Sequence, residues 1–373
     1  MSYPSPLQSK LEAYAADMER QQEGARREGA ATGAFQSQLL CEFLPWGNAD
    51  CEVLATTGIV ELEYAAIQKS VGVFDAPCRG TILLRGEDRF SFIDRMSTQK
   101  LIDLKEGEAK LAFIVNRKGS IVADVVVRNV KDYVLVDFDI TVAEQLCNHF
   151  KSYIVMDDVT FENVTKTTSW LWCLGSKAIS CNLNDVEMYA LPKELLGIEG
   201  VAIAVHPDQL EDIWQTLIDA KVQPIGWYAI NMSRIENGAA IFLIDFDSEN
   251  LPHETNLIES RVRFDKGCYL GQEIVARMEN LGQPKCTLLK LEMKKDVLPI
   301  AGAQLWENNS GRGTPVGVIT SSAVSPKSGG QPAVIAMIGK KYAKETTSLH
   351  VHVGSELVEC VVRSLTRSKE FPT

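Results

Sequence analysis

Apolar and polar positions change period several times along the chain. Leu7, Leu11, Tyr14 and Met18 recur at helical spacing in a charged background, and the stretch QQEGARREGAATGAFQSQ then loses that period. Residues 1–50 therefore read as an amphipathic arm, docked or partly frayed. Glu61 to Lys69 continues helically and stops before Gly72. Arg79 to Gly86 alternates as a strand, and Glu87 to Met96 reads as a helix with acids in its first turn. The apolar runs 110–115 and 121–127 are joined by Asn116-Arg117-Lys118-Gly119, which predicts a β-hairpin. Tyr133 to Phe138 follows as a strand and Val142 to Tyr153 as a helix. Hairpins interspersed among helices predict an α+β fold with antiparallel sheets rather than a doubly wound parallel one.

The second half repeats the mixture and then departs from it. Ser169 to Leu174 and Val201 to Val205 are strand-like, and Asp208 to Lys221 carries Leu210, Ile213, Trp214, Leu217 and Ile218 on one side of a helix. Trp227 to Ile235 is apolar enough for a buried helix. After Pro284 only short strand-like runs remain, at 287–292, 317–322, 333–338, 349–353 and 357–362, separated by Pro, Gly and Ser. They predict a small antiparallel β-barrel. The expected division is an arm (1–50), a two-lobed α+β region (51–284) and the barrel (285–373).

Composition narrows the class. At 373 residues the chain is too long for one simple core, and its 45% hydrophobic and 23% charged content is that of a globular protein. No run approaches the roughly 18 apolar residues of a spanning helix, so no membrane partner is expected. The start has no basic-then-apolar signal pattern. Nine cysteines without a CxxC pair suit reduced thiols and a cytoplasmic location. A net charge of −11 speaks against a stable nucleic-acid complex, while leaving room for brief contact with tRNA through a local basic strip. His350 and His352 share a strand face but have no third ligand nearby in sequence, so no metal site is expected. Trp170 and Trp172 either line a pocket or pack. The glycine-rich run Gly311 to Gly317 lacks phosphate-loop spacing and reads as a hairpin turn.

Two stretches carry candidate chemistry. Asp124 interrupts the apolar run IVADVVV. By alternation it points to solvent, unless Val122 and Val126 face the core, in which case it is a buried acid that needs a partner. The other stretch is Phe264 to Arg277. Gly267 and Gly271 bracket Cys268 and permit a tight turn. Ile274, Met278 and Leu281 mark one face of a helix that ends at Gly282 and Pro284. The helix N-terminus, with Lys266, Arg261, Arg263 and Arg277 nearby, favours a thiolate at Cys268. The plainer alternative is a small cysteine in a tight turn.

The run Lys266-Gly267-Cys268-Tyr269-Leu270-Gly271-Gln272-Glu273 resembles the signature of the YgfZ-type branch of the glycine-cleavage T-protein superfamily. Val71 to Asp75, Leu84 to Phe90, Ser97 to Gln99, Asn116 to Asp124, the run Arg234-Ile235-Glu236-Asn237-Gly238, Pro252 with Glu254, and the Pro-Val-Gly-Val-Ile-Thr-Ser stretch of the last domain are similar to the same superfamily. The resemblance covers about 50 to 366. It implies a reduced folate, tetrahydrofolate or a one-carbon derivative, in a central channel. Asp124 would be a catalytic or wall residue, and Cys268 a nucleophile, redox thiol or transient cluster contact at the channel mouth. Lys266, Gly267, Tyr269, Gln272, Glu273 and Arg234 would be cofactor-binding.

The implied activity is maintenance or assembly of iron–sulfur proteins, with those clients as partners and an effect on tRNA modification. The alternatives are a tetrahydrofolate-dependent aminomethyl- or methyltransferase of the glycine-cleavage type, and an interaction module with a vestigial pocket. Two departures bear on the choice. The enzyme's paired aspartates have become Ala123-Asp124, and its pterin-gripping acid and arginine align with Ile198 and Ile230, with Glu199 as a neighbouring stand-in.

Overall fold

The computed structural model describes residues 5–27, 41–48, 51–178 and 188–365. They divide into two compact units. One comprises Met1–Thr81, Asn163–Leu191 and Glu199–Ile230, and the other Ile82–Glu162, Pro192–Ile198 and Asn231–Thr373.

The first unit is built on a five-stranded sheet, in the order Met188–Leu191, Gly200–Val205, Ser169–Leu174, Gly72–Asp75, Gln223–Pro224. The first four strands pair antiparallel and the last pair is parallel. The helix Pro207–Asp219 buries Leu210, Ile213, Trp214 and Leu217, the face its spacing predicts. These residues meet Val73, Leu171 and Ile203 of the sheet in one core. The N-terminal helix Gln8–Arg27 adds to it, because Leu7 and Leu11 are fully buried there. The arm is thus docked over its first turns; most of QQEGARREGAATGAFQSQ lies outside the described residues. Among the strands that escaped the hydrophobic pattern are Glu42–Pro45 and Glu52–Thr56, which pair antiparallel and are each too short to show a period. Trp170 and Trp172 are both buried in their strand, with Trp170 Nε1 donating to Thr81 Oγ1 at 2.8 Å, so packing is the role they fill.

The second unit holds a five-stranded sheet and a closed barrel. The sheet order is Ala109–Val115, Ile121–Val130, Tyr133–Asp139, Arg79–Arg85, Thr160–Asn163. The predicted hairpin is present. Asn116 Oδ1 accepts from Lys118 N and Ser120 N, and Gly119 takes a left-handed φ of 78°. The barrel runs Cys286–Met293, Gln331–Gly339, Gly317–Ser325, Gln304–Trp306, Ser348–Val353, Glu356–Arg363, and the last strand closes on the first. Gln304–Trp306 was not legible, being only three residues long. Leu289, Leu291, Ile319, Ile338, Val351 and Val362 fill the interior. A bulge between Ile319 and Ser321 lets Thr320 and Ser321 both donate to Asp245 Oδ1, each at 2.7 Å. Among the described residues, no helix is long and apolar enough to cross a membrane.

Candidate functional site

The strand Ile121–Val130, second in its sheet, is buried at every position from 121 to 128. Alternation therefore does not carry Asp124 to solvent; it is 8% exposed. A buried carboxylate needs a counter-ion, and Arg261, the last residue of the short helix Ile258–Arg261, supplies it. Arg261 Nε lies 3.0 Å from Asp124 Oδ1 and 3.1 Å from Oδ2. Nη1 donates to Ser260 Oγ at 2.7 Å. Nη2 is buried with no hydrogen-bond partner among the described residues. One face of the guanidinium lies over Phe113, the residue opposite Asp124 in the hairpin register, at 5.7 Å. The sequence reading has Arg261 only as a nearby positive charge. The signal that could have found it is the buried acid itself, which demands a cation.

The residues around this pair are held by main-chain contacts from the loop Ser97-Thr98-Gln99. Thr98 Oγ1 donates to the Arg261 carbonyl at 2.7 Å and accepts from Phe113 N at 3.1 Å. Gln99 Nε2 donates to the Ser260 carbonyl at 3.1 Å. Lys266 secures the other side of the same loop. Its Nζ donates to the carbonyls of Asp94 at 2.5 Å, Ser97 at 2.9 Å and Gln99 at 2.7 Å. The Asp94 carboxylate stands 3.3 Å away. Burial pushes the Lys266 ammonium down to about 8, and Asp94 opposes that shift. Lys266, expected as a cofactor residue and as a bias on Cys268, has its three N–H donors taken by the main chain.

Cys268 is exposed, in the loop between two helices. The helix that follows is Gln272–Leu281, capped by Gly271 at φ 77°. The cysteine thus stands outside the first turn, where the helix field falls off. The two glycines differ. A Cβ on Gly271 would lie 2.4 Å from the Asn116 carbonyl oxygen, whereas one on Gly267 would meet nothing within 4 Å, and Gly267 has no left-handed φ. The expected need for glycine on both sides of the cysteine therefore holds only at Gly271. Tyr269 is 7% exposed, and its hydroxyl is buried without a hydrogen-bond partner among the described residues. Burial pushes that phenol up to about 12. Gln272 Oε1 accepts from Tyr269 N at 3.4 Å, and Glu273 is exposed.

Two further expected cofactor residues are Arg234 and Glu199. Arg234 is 1% exposed and has its donors engaged within the chain: Nε to Asn231, Nη1 to the Ala239 carbonyl and to Asp245 Oδ2 at 2.7 Å, and Nη2 to Ser321 Oγ. It ties its helix to the barrel bulge, which is a framework role. Glu199 is exposed and belongs to the first unit, with its carbonyl accepting from Gly175 N. Ile198 and Ile230 are buried, at 5% and 0% exposure.

Two cavities of the second unit meet at Ser260. One, of about 450 Å³, is lined by Gln99, Lys110, Ser260, Arg263 and Asp265 among others. The other, of about 670 Å³, is lined by Asn237, Gly238, Asn256, Leu257 and Ser260 among others. Because Ser260 Oγ accepts from Arg261 Nη1, the Asp124–Arg261 pair lies one side chain behind this shared wall. Asp124, Arg261 and Lys266 are thus brought to one frame, and Cys268 follows two residues later on the surface.

Residues 52–187 match the family model described as the GCVT N-terminal domain. An aminomethyltransferase of Thermotoga maritima is 27% identical over 331 residues, covering 82% of this chain and 88% of that protein. An aminomethyltransferase of Chloroherpeton thalassium is 24% identical over 327 residues, covering 81% and 88%. A crystal structure of the glycine cleavage system aminomethyltransferase T from Bartonella henselae superposes with a TM-score of 0.77 at 18% identity, covering 87% of this chain and 93% of that one. With antiparallel sheets, a closed six-stranded C-terminal barrel and that N-terminal domain, the chain has the fold of the glycine-cleavage T-protein superfamily.

Proposed function

We propose that this protein binds a reduced folate, tetrahydrofolate or a one-carbon derivative, and acts as a YgfZ-type maintenance factor for iron–sulfur proteins, with an effect on tRNA modification through such clients. The observation that carries the folate part is Ser260, which lines two adjoining cavities and accepts from Arg261 of the buried Asp124–Arg261 pair, while Arg261 Nη2 is buried with no hydrogen-bond partner among the described residues. That N–H suits a ligand that carries a carbonyl group. When bound, the folate would carry or accept a one-carbon unit; the chain's own residues orient it and exclude water. Cys268 is the reactive group on the surface, exposed and free, and the KGCYLGQE run around it supports the YgfZ-type reading.

A second reading, a tetrahydrofolate-dependent aminomethyltransferase, is favoured by the names of the similar proteins. Against it stand the apolar Ile198 and Ile230 and the single acid at Ala123-Asp124, which is held by Arg261 rather than left open as a base. Calorimetric titration of tetrahydrofolate into wild type and Asp124→Ala tests the folate claim. Binding that weakens on mutation is expected, and no binding by wild type at millimolar ligand removes it. Robust formation of methylene-tetrahydrofolate with glycine and the lipoyl carrier protein would promote the second reading over the first.

A further inference from the structure

We infer that Arg261 is a ligand-binding residue of this site, donating through Nη2 to a neutral carbonyl oxygen of the bound molecule; the inference rests on the folate reading above. The guanidinium has no exposed side-chain surface. Its Nε serves both oxygens of Asp124 and its Nη1 serves Ser260. The ring of Phe113 covers a face of the guanidinium, and a face contact leaves the in-plane N–H groups of Nη2 unused. A buried charged donor without an acceptor is costly, and such groups are rare enough to call for an explanation. Of the other two buried arginine–carboxylate pairs, Arg234–Asp245 has Nε, Nη1 and Nη2 of the arginine all engaged, and neither Arg128 nor Asp137 lines the two cavities.

The missing acceptor has a definable chemistry. Asp124 already neutralises the guanidinium, so a carboxylate from the ligand would arrive as an uncompensated buried charge. A carbonyl oxygen satisfies the N–H without adding charge. Ser260 accepts from Nη1 and lines both cavities, so the guanidinium stands one hydrogen bond from their shared wall. In a reduced folate the carbonyl comes either from the pterin ring or from the benzamide link, and both offer the same acceptor.

The test titrates tetrahydrofolate and tetrahydropterin, which lacks the benzoylglutamate tail, into wild type and Arg261→Lys. Lysine keeps the cation beside Asp124 but removes the planar fork. The expected result is a protein with a near-wild-type urea midpoint and roughly 10- to 100-fold weaker binding of tetrahydrofolate, the loss of one charge-assisted hydrogen bond. A comparable loss for tetrahydropterin places the carbonyl on the pterin, and a loss for tetrahydrofolate alone places it on the benzamide. If Arg261→Lys does not fold, arginine-¹⁵N spectra of wild type carry the test: the Arg261 Nη2 protons should shift and exchange more slowly on ligand addition. Wild type that binds while Arg261→Lys binds equally, or while those protons stay unmoved, overturns the inference and leaves the folate reading standing. Wild type that binds neither ligand at millimolar concentration overturns both.

Discussion

Lys266 Nζ lies 2.5 Å from the Asp94 carbonyl oxygen and 3.3 Å from the Asp94 carboxylate, with no side-chain surface exposed to solvent. The same carboxylate accepts from Leu101 N at 2.6 Å and Ile102 N at 3.1 Å. One ion pair thus joins the end of the helix Arg89–Met96, the loop after it and the segment leading to Cys268. Replacing Lys266 with Met should leave three carbonyls and a carboxylate without their cation. We expect a loss of about 2–4 kcal/mol, read from the urea midpoint. A loss below about 0.5 kcal/mol, within the range of an ordinary surface change, would show that the lysine is not a clamp.

The two glycines beside Cys268 should respond oppositely to one methyl group. Gly271 has φ 77°, and a Cβ there would stand 2.4 Å from the Asn116 carbonyl oxygen, a contact with backbone that cannot simply rotate away. Gly271→Ala should cost about 2 kcal/mol or more. Gly267→Ala meets open space and should change stability by less than about 0.5 kcal/mol. Equal effects in thermal denaturation would mean that the loop packs differently.

Asp75 gives the first unit a pH dependence of definite sign. It is 4% exposed and accepts from the Ser5 hydroxyl. Burial pushes its carboxyl up to about 7, with the Ser5 hydrogen bond working the other way. The unfolded chain titrates this group near 3.9. The folded state therefore holds the proton more tightly, and the stability this contributes is complete below about pH 4 and is lost as pH rises through about 7. Asp75→Asn should flatten that slope between pH 4 and 7 and raise the urea midpoint at pH 8. A wild-type midpoint that climbs through the same window, and keeps climbing in Asp75→Asn, would contradict the assignment.

Much of this was legible because it is periodic. The hairpin around Asn116–Gly119, the helix Pro207–Asp219 and five of the six barrel strands each repeat a pattern over six or more residues or carry a turn signature. Glu42–Pro45 and Gln304–Trp306 are too short to repeat anything and are defined only by their partners. Asp124 was visible as an acid in an apolar run, but its partner lies 137 residues away, a pairing that only the fold brings together. The contacts of Lys266 were not legible for the same reason. Sequence proximity placed its charge beside Cys268, while its side chain reaches back across 172 residues to Asp94.

Cys268 should be the first thiol to react. Among the eight described cysteines it is the exposed one, and Cys181 lies outside the described residues. Cys41 and Cys286 are half-buried, and burial pushes each thiol up to about 11, so almost none is thiolate near neutral pH. Burial pushes Cys360 to about 12. The thiolate is the species that iodoacetamide attacks, and it must also be reachable. Timed alkylation at pH 7.5 followed by peptide mass spectrometry should therefore mark Cys268 well before Cys41 or Cys286. Sequence reasoning expects Lys266 to assist that reaction; with its ammonium held by three carbonyls, Lys266→Met should not slow labelling, and a loosened loop would speed it. Cys268→Ser should leave the urea midpoint within error, since the side chain is exposed and serine is nearly the same size. It should nevertheless fail to restore iron–sulfur enzyme activity in cells lacking the wild-type protein. If Cys268 ranks among the slowest thiols and Cys268→Ser restores activity fully, the KGCYLGQE run is a turn built around Lys266 and Gly271, and the reactive group of the proposed function lies elsewhere.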